Sequence, residues 1–489
     1  MNKKTIPGRK LEALLLAAGV AAASGASAAS AAQTVEEVRV YATPLGSSSE
    51  EIAQPSIVLS GEALQRSLAP TLGATLGEQP GINTSYFGPA VGRPIIRALA
   101  GPRVRILEDG IVAADVSASS DDHAVTVEPW LADQVEVLKG PATVLYGSGA
   151  IGGVVNSVSG RVPTALPEET FGLKALGNFN DVADETGTGL RSELRTGRFA
   201  WHLDAFARQS DDYDIPGFAE SSALRAQEAA EEGDHDDHDD DHGMDHGDDH
   251  GDEEETFGTL PNSDLDSESL AFGGSWIGER ATVGFAVSRF QTSYGLPGGH
   301  EHGHGGDHDD HDDHDDHDDH DDHDDHDDHD DHGHEHGHGE GDVRIEMHQT
   351  RYDFHASLEA PFAGVELARL RGAFVDYRHQ EIEGSGEIGT LFENETLEAR
   401  LELLNAPVAG FTGAFGLQYD DRDFLARGEE AFVPPGDRRA LAAFAYQERT
   451  TGPFQLELGG RLEQVDYEPS NGPDRDFTVA SAAVGTVFE

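Results

Sequence analysis

The chain has 489 residues, a formal net charge of −60 at pH 7 and no cysteine. This charge repels nucleic acid and anionic membrane surfaces and attracts cations, so nucleic acid is excluded as a partner. Without cysteine there are no disulfides or thiolate metal sites, which leaves His, Asp and Glu as the available metal ligands.

Residues 1–32 are typical of a secretory signal peptide. A basic start precedes a short apolar stretch at 13–23, and small residues follow through Ala32. We expect cleavage between Ala28 and Gln33, with a buried helix of the mature protein as the alternative. No later segment approaches the roughly 18 apolar residues of a membrane-spanning helix, so a membrane protein with this sequence would be a closed β-barrel.

Residues 33–161 are predicted to form a compact mixed α/β unit. Ser60 is placed to cap a helix through Leu68, because serine there accepts hydrogen bonds from the free amides of the first turn. A second helical turn at 72–76 ends before the helix-breaking pair Pro80-Gly81. Short apolar runs predict strands at 57–59, 94–98, 104–108 and 134–138.

From Thr170 onward, polar residues alternate with apolar or aromatic ones in segments of about 10 to 15 residues. This two-residue period predicts roughly a dozen strands of a membrane β-barrel, with a soluble β-sandwich as the alternative. Short turns alternate with long polar links, so taking every second link as outward places all long links on one side. The long links are predicted at 211–267, 295–342, 381–394 and 426–437.

Two low-complexity tracts within the first two of those links contain twenty of the 25 histidines, together with Asp, Glu and Gly. Imidazole beside carboxylate is the ligand set of zinc, nickel and copper(II). The second tract becomes a strict Asp-Asp-His repeat with His308, His311, His314, His317, His320, His323, His326, His329 and His332. Such a chain cannot pack a core, so we expect modest, labile and multivalent metal capture, with a solvated acidic loop as the alternative.

Residues 135–156 combine a strand, the pair Gly140-Pro141, a short helical stretch to Tyr146 and a glycine-rich end. The spacing and the Lys-Ser/Thr pair of a phosphate-binding loop are absent, so nucleotide binding is not expected. The segment resembles the plug-domain signature of TonB-dependent outer-membrane receptors, and residues 104–110 resemble the preceding plug strand. A further stretch is similar to the energy-coupling box that pairs with TonB: Glu36, Glu37, Val38, Arg39, Val40 and Tyr41.

The resemblance implies a membrane β-barrel of about 22 strands with an N-terminal α/β plug domain in its lumen. It also implies the bacterial outer membrane as the location, with lipid around the barrel and TonB as the partner of residues 36–41. Residues 33–161 would be the TonB box and plug, and residues 162–489 the barrel. The latter are enough for only roughly a dozen membrane strands, so we expect the barrel to be C-terminally incomplete.

A candidate metal site lies in the plug part, where Asp121, Asp122 and His123 are neighbours on a predicted loop. A loop can turn neighbouring side chains toward one ion, whereas a strand would point them to opposite faces. A polar loop with a helix-capping Asp is the alternative. The His-rich links resemble those of the zinc-uptake branch of these receptors. In that branch an Asp-His pair at this place helps to form the metal site, which implies this role for Asp122 and His123, with Asp121 as a third ligand.

Further ligands are expected from the barrel wall, where two groups of residues lie near predicted strand ends. His379, Glu381 and Glu383 alternate and would share one face of a strand. Glu346 and His348 have the same spacing just after the second tract. A solvated strand tip is the alternative for each group.

The leading hypothesis from sequence is TonB-coupled import of zinc ion, with zinc as the transported ligand and no cofactor. Nickel, copper or a metal chelate would suit the same receptor, because these ligands bind copper(II) more tightly than zinc. A surface metal-sequestering protein is the alternative from another class, although it would have no use for a coupling box or a plug. No arrangement of nucleophile and base is evident, so no enzyme activity is expected.

Overall fold

The computed structural model describes residues 40–46, 56–226, 256–298, 343–428 and 431–488. The predicted signal peptide, the coupling-box residues 36–39 and the histidines of both tracts lie outside these ranges. Among the described residues, no helix is both long and apolar enough to cross a membrane.

The first part of the chain is a small α/β unit, which we call the plug. Its regular elements are β1 Ile57–Ser60, α1 Gly61–Ser67, α2 Leu72–Leu76, β2 Ile82–Thr84, β3 Pro94–Ile96, β4 Val104–Glu108, β5 Ile111–Val112, β6 Gln134–Leu138 and β7 Gly153–Val158. Short 3-10 helices span Gly101–Arg103, Pro129–Leu131, Pro141–Tyr146 and Ser148–Ala150. Five strands form one sheet in the order β1-β6-β7-β4-β5, and β2 pairs with β3. The parallel pair β4 and β7 lies in the middle, where its apolar side chains form the core.

The structure contains the predicted plug elements and adds β2 and β7, which the sequence did not predict. Two of the predicted elements differ in detail. Ser60 has the extended backbone of a helix cap, but its side chain makes no capping hydrogen bond, whereas Thr71 Oγ1 accepts from the amide of Ala74 at 3.1 Å. The strand predicted at 94–98 stops at Ile96, because Arg97 and Ala98 have φ values of 51° and 61°. A left-handed backbone cannot continue a strand.

The second part of the chain is a twelve-stranded sheet, which we call the wall. Its strands are β8 Phe171–Asn180, β9 Glu185–Thr196, β10 Phe199–Ser210, β13 Leu265–Ile277, β14 Ala281–Gly295, β15 Arg344–Phe362, β16 Val365–Ile382, β17 Ile388–Val408, β18 Phe411–Gly428, β19 Gly436–Thr451, β20 Phe454–Pro469 and β21 Arg475–Phe488. Each strand pairs antiparallel with its neighbour, and the paired strands β11 Tyr213–Phe218 and β12 Phe257–Leu260 form a separate hairpin after β10.

Alternate side chains of the wall face the plug or the outside, and the two faces have opposite polarity. Outward-facing aromatic rings such as Phe285, Tyr352 and Phe374 are about 40 to 50% exposed. On the plug side, Arg400 and Glu402 are almost fully buried and joined by a 2.8 Å ion pair. An apolar outside and a polar lumen are what a membrane barrel requires, and the reverse of a soluble sandwich.

Charged contacts seat the plug against the inner face of the wall. The Arg161 guanidinium at the end of the plug donates to Glu108 of β4 at 2.7 Å and to Asp204 of β10 at 3.1 Å. The Arg400 guanidinium on β17 donates to the carbonyl of Leu145 at 2.8 Å. Because these groups are buried, each needs its partner, so the contacts fix where the plug lies.

The links that carry the two tracts leave the wall at the same edge, as the alternation of short and long links predicted. The pairing register aligns Ser210 with Leu265, Leu265 with Tyr294, Tyr294 with Ile345, and Ile345 with Glu381. These five residues define what we call the tract rim. Asn262, after β12, ties the stems together by donating to the carbonyls of Leu296 and Val343 at 3.0 and 2.8 Å.

Two of the predicted long links are much shorter than expected. Strand β16 continues to Ile382 and β17 begins at Ile388, while β18 ends at Gly428 and β19 begins at Gly436. The polar ends of these strands were read as loop, but the ladder of backbone hydrogen bonds continues through them. Pairing depends on the backbone, so hydrophilic side chains near a rim do not end a strand.

Candidate metal site

The plug presents Asp122 and His123 on a loop whose base is closed by one carboxylate. Asp115 accepts from the amide of Ser117 at 3.1 Å and from the amide of Thr126 at 3.1 Å. The two ends of the loop are therefore held together, and the segment between them projects toward the wall. Residues 116 and 124 pack there against wall residues of the tract rim, including Tyr294 and Ile345.

Three buried side chains converge where this loop meets β16. Nε2 of His123 lies 3.1 Å from Oε1 of Glu381, and Nε2 of His379 lies 3.7 Å from the same oxygen. The ligand atoms of all three residues lie within 4.8 Å of one another. Oδ1 of Asp122 is 3.9 Å from Nε2 of His123 and could serve as the fourth ligand of a four-coordinate ion. We call Asp122, His123, His379 and Glu381 the rim cluster.

In each imidazole Nδ1 has a hydrogen-bond partner outside the rim cluster, so Nε2 is the nitrogen that faces the cluster. Nδ1 of His123 lies 3.3 Å from the carbonyl of Val116, and Nδ1 of His379 lies 3.0 Å from the Tyr377 hydroxyl. Among the described residues, Nε2 of His379 finds no hydrogen-bond partner although it is buried. A buried polar atom without a partner is costly, and a bound cation would satisfy it.

The charges of the rim cluster suit a cation. Burial lowers the pKa of His123, but the hydrogen bond to Glu381 and the charges of Asp122 and Glu381 more than offset this, so the pKa of His123 is raised. The same carboxylates that favour a proton on the imidazole favour a metal ion in its place. Nitrogen and oxygen ligands without sulfur are the set of zinc and related divalent ions.

The structure brings together four of the predicted wall and plug ligands and separates the others. Asp121 is exposed, whereas its neighbour Asp122 is buried. Glu383 lies beyond the end of β16, in a turn where its amide donates to the carbonyl of Glu387 at 3.0 Å. It does not share a face with His379 and Glu381 because the strand has ended.

Glu346 and His348 lie on the outward face of β15. They alternate with Ile345 and Met347, which are fully buried and pair with Glu381 and His379 on the plug side. Successive residues of a strand point to opposite faces, so Glu346 and His348 are directed away from the rim cluster.

Sequence reasoning missed the residues that surround the ligands. Tyr377 lies two positions before His379, so strand alternation alone could have placed it on the same face. Phe392 pairs with His379 across β16 and β17, and its ring lies 4.9 Å from that of His123 and 5.3 Å from that of His379. Tyr294 is separated from Tyr377 and Phe392 by the second tract, and no local sequence pattern indicated that it lies near the rim cluster.

Only the end of the predicted coupling box is described. Val40 is fully buried, and the amides of Tyr41 and Ala42 donate to the carboxylate of Glu136 at 2.6 and 2.8 Å. The Tyr146 hydroxyl donates to the carbonyl of Ala42 at 2.7 Å. The segment that follows the box is thus anchored on the plug.

Comparisons with known proteins agree with this architecture. The family model of the TonB-dependent receptor plug domain matches residues 48–154. The ferrioxamine receptor of Yersinia enterocolitica is 29% identical over 169 residues, which are 32% of this chain and 22% of that protein. The hemin receptor of Yersinia pestis is 31% identical over 117 residues, 24% of this chain and 17% of that protein.

Solved structures share the fold at low sequence identity. The copper transporter OprC has a TM-score of 0.59 at 14% identity, covering 88% of this chain and 60% of that one. The FrpB iron transporter from Neisseria meningitidis has a TM-score of 0.60 at 12% identity, covering 89% of this chain and 62% of that one. The chain therefore spans about 60% of the length of these structures.

These matches support a TonB-dependent receptor. The chain carries the plug domain of that class, and its antiparallel sheet has the fold of the receptor barrels, which confirms the predicted fold class. The proteins that it resembles are outer-membrane transport receptors, which are not enzymes.

Proposed function

We propose that this receptor imports a divalent metal ion, zinc in the first place, across the outer membrane in a TonB-coupled manner. The observation that carries the proposal is the rim cluster, in which two imidazoles and a carboxylate converge. Nε2 of His379 is buried there and has no hydrogen-bond partner in the described part of the chain. Two nitrogen and one or two oxygen ligands with a tetrahedral preference are typical of zinc.

The enclosure of the rim cluster supports a bare ion over a chelate. His123 and His379 are 1% and 0% exposed, and Asp122 and Glu381 are 9% and 5% exposed. Aromatic rings pack on both imidazoles, so the ligand atoms face one another rather than an open cavity. An organic metal complex would have to displace these side chains, whereas an ion fits between them.

If the rim cluster binds the transported ion, the tracts and the coupling box have roles that follow from it. The strands that lead into the links with the two tracts end at the tract rim, which includes Glu381 of the rim cluster. The histidines of the tracts would capture ions and raise their local concentration. Residues 36–41 would pair with TonB as an added strand. The anchored segment around Ala42 would transmit the pull to the plug, and movement of the plug would separate His123 from the wall ligands.

Copper is a second candidate because of one residue. Met347 is fully buried and pairs directly with His379 across β15 and β16. A thioether is a soft ligand that suits copper(I), and the imidazole and carboxylate ligands bind copper(II) more tightly than zinc.

Metal accumulation in cells tests the proposal. Cells that produce His123→Ala should lose the zinc uptake that the unsubstituted receptor gives under metal starvation, because one of the two imidazoles is gone. Asp121→Ala is the matched control, since its side chain is exposed and is not part of the rim cluster. Uptake that survives His123→Ala, or that falls equally in Asp121→Ala, would contradict the role of the rim cluster.

Deletion of residues 36–41 separates transport from binding. Uptake should stop while zinc still binds to the receptor in isolated outer membranes. Repeating both measurements with copper and nickel identifies the cargo. Undiminished uptake by the deletion variant would exclude TonB coupling through this segment.

A further inference from the structure

Two tyrosines of the wall reach across to the plug loop that carries Asp122 and His123. Tyr294 on β14 and Tyr377 on β16 are 0% and 1% exposed. The Tyr294 hydroxyl accepts from the amide of Ala124 at 3.0 Å and donates to the carbonyl of Asp122 at 3.1 Å. The Tyr377 hydroxyl lies 3.0 Å from Nδ1 of His379, which faces the plug loop in the rim cluster.

We propose that Tyr294 and Tyr377 are positioning residues that align the metal ligands across the boundary between plug and wall. Tyr294 holds the backbone on both sides of His123, and Tyr377 orients the imidazole of His379. This inference rests on the proposed function of the rim cluster as the metal site, and neither tyrosine needs to touch the ion.

Tyr294 fixes the plug ligands from the wall. A single hydroxyl satisfies the carbonyl before His123 and the amide after it, so the ligand-bearing residue lies between two anchored peptide groups. Both groups are buried, and each would lose its partner together with the hydroxyl. The loop would then keep its base at Asp115 but lose the contact that sets its distance from Glu381.

Tyr377 orients the imidazole of His379 for binding a cation. Its hydroxyl lies 3.0 Å from Nδ1, which directs Nε2 into the rim cluster, where Nε2 has no hydrogen-bond partner among the described residues. A cation bound there would take the lone pair of Nε2, and Nδ1–H would then donate to the hydroxyl. Removing the hydroxyl would leave Nδ1 without this partner, so the ring would be free to turn.

The imidazole of His123 is oriented from the plug side. Its Nδ1 lies 3.3 Å from the carbonyl of Val116, as Nδ1 of His379 lies 3.0 Å from the Tyr377 hydroxyl. Each ring therefore has a partner on Nδ1 that turns Nε2 toward the other ring, although one ring belongs to the plug and the other to the wall.

Cobalt(II) bound to the full-length receptor in detergent is the probe, because its visible absorption reports coordination geometry. The tracts bind cobalt as well, so the signal of the rim cluster is defined as the part that His379→Ala removes. Tyr377→Phe and Tyr294→Phe keep the aromatic ring and remove only the hydroxyl. Tyr352→Phe is the matched control, since that ring faces outward on β15 and is 41% exposed.

We expect both hydroxyl variants to weaken cobalt binding at the rim cluster by about 10- to 100-fold, the usual effect of removing a partner of a metal ligand. Tyr377→Phe should also change the shape of the absorption bands, because the imidazole turns, which a general loss of stability would not do. Tyr352→Phe should match the unsubstituted receptor in both respects.

The outcomes separate the two proposals. If His379→Ala removes no signal, the rim cluster is not a metal site and the proposed function fails. If the signal exists but Tyr377→Phe and Tyr294→Phe keep the affinity and band shape of the unsubstituted receptor, the positioning role is overturned. Should Tyr294→Phe fail to assemble, Tyr377→Phe alone decides, because its hydroxyl lies at the ligand itself.

Discussion

Two pairs of His and Glu residues with the same spacing lie near the same rim of the wall and face opposite ways. His379 and Glu381 on β16 point to the plug and are buried, whereas Glu346 and His348 on β15 are half-buried on the outside. Both pairs offer the same donor atoms. The difference shows that spacing on a strand brings metal-ligating atoms together only where a second body, here the plug loop with His123, adds its own donor atom.

The largest expected effect comes from removing each pair in turn. The double variant His379→Ala/Glu381→Ala should lower zinc affinity at the buried site by more than about 100-fold, because two ligands of the set are lost. Glu346→Ala/His348→Ala should change it by less than about twofold, within the range of a surface substitution. Equilibrium dialysis with zinc in competition with a chelator of known affinity measures both in the full chain.

One result of comparing these two double variants would contradict the role of the plug. Equal losses in the two double variants would mean that the donor atoms act wherever they lie, as in the tracts, and that the plug adds nothing. The chelator competition makes this visible, since it removes ions from weak, labile sites before it reaches a buried one.

The sequence predicted the four residues that meet in the rim cluster and most of the strands, but not which face of β15 meets the plug. A two-residue period defines two faces without saying which is inward. In the middle of a membrane strand the apolar face meets lipid, which would have directed Ile345 and Met347 outward. At the tract rim they face inward instead, because they pack against apolar plug residues such as Val116 and Ala124. That contact joins residues more than two hundred positions apart and leaves no local pattern.

His123 and Asp122 were predicted for a different reason. They are adjacent in sequence, and their role as metal ligands was inferred from the resemblance of this short loop to the plug loop of the zinc-uptake branch. Glu381 and His379 followed from alternation, but Glu383 did not, because β16 ends at Ile382 and alternation does not extend into the turn that follows. The distance between plug and wall ligands depends on how the two bodies dock, and only the structure supplies it.

A second contrast concerns two phenylalanines that face opposite ways. Phe392 packs on both imidazoles of the rim cluster, whereas Phe374 lies outside and is 39% exposed. Phe392→Ala should lower stability by about 3 kcal/mol, since it leaves a cavity beneath the ligands. We expect zinc affinity to fall about tenfold, because the rings lose the surface that holds them.

Phe374→Ala is the control for this substitution. It removes the same ring from the lipid-facing surface, where detergent or lipid replaces it, so zinc affinity should not change. Thermal unfolding in detergent, followed by circular dichroism, and zinc titration measure the two quantities. If Phe374→Ala lost as much zinc affinity as Phe392→Ala, the loss would result from a general destabilisation of the wall and not from the contact of Phe392 with the imidazoles.

The smallest expected effect is that of substituting Met347, which pairs with His379, and it distinguishes zinc from copper. Met347→Leu keeps the volume and apolar character of a fully buried side chain, so it should cost less than about 1.5 kcal/mol of stability. Zinc affinity should stay within about twofold, because a thioether is not a preferred zinc ligand. Copper(I) affinity should fall if the sulfur takes part in binding that ion. Titration of the variant with zinc, and with copper under reducing conditions, separates the cases. A loss of zinc affinity as large as that of copper would mean that Met347 supports the geometry of His379, and the choice of ion would then rest on the imidazoles and carboxylates alone.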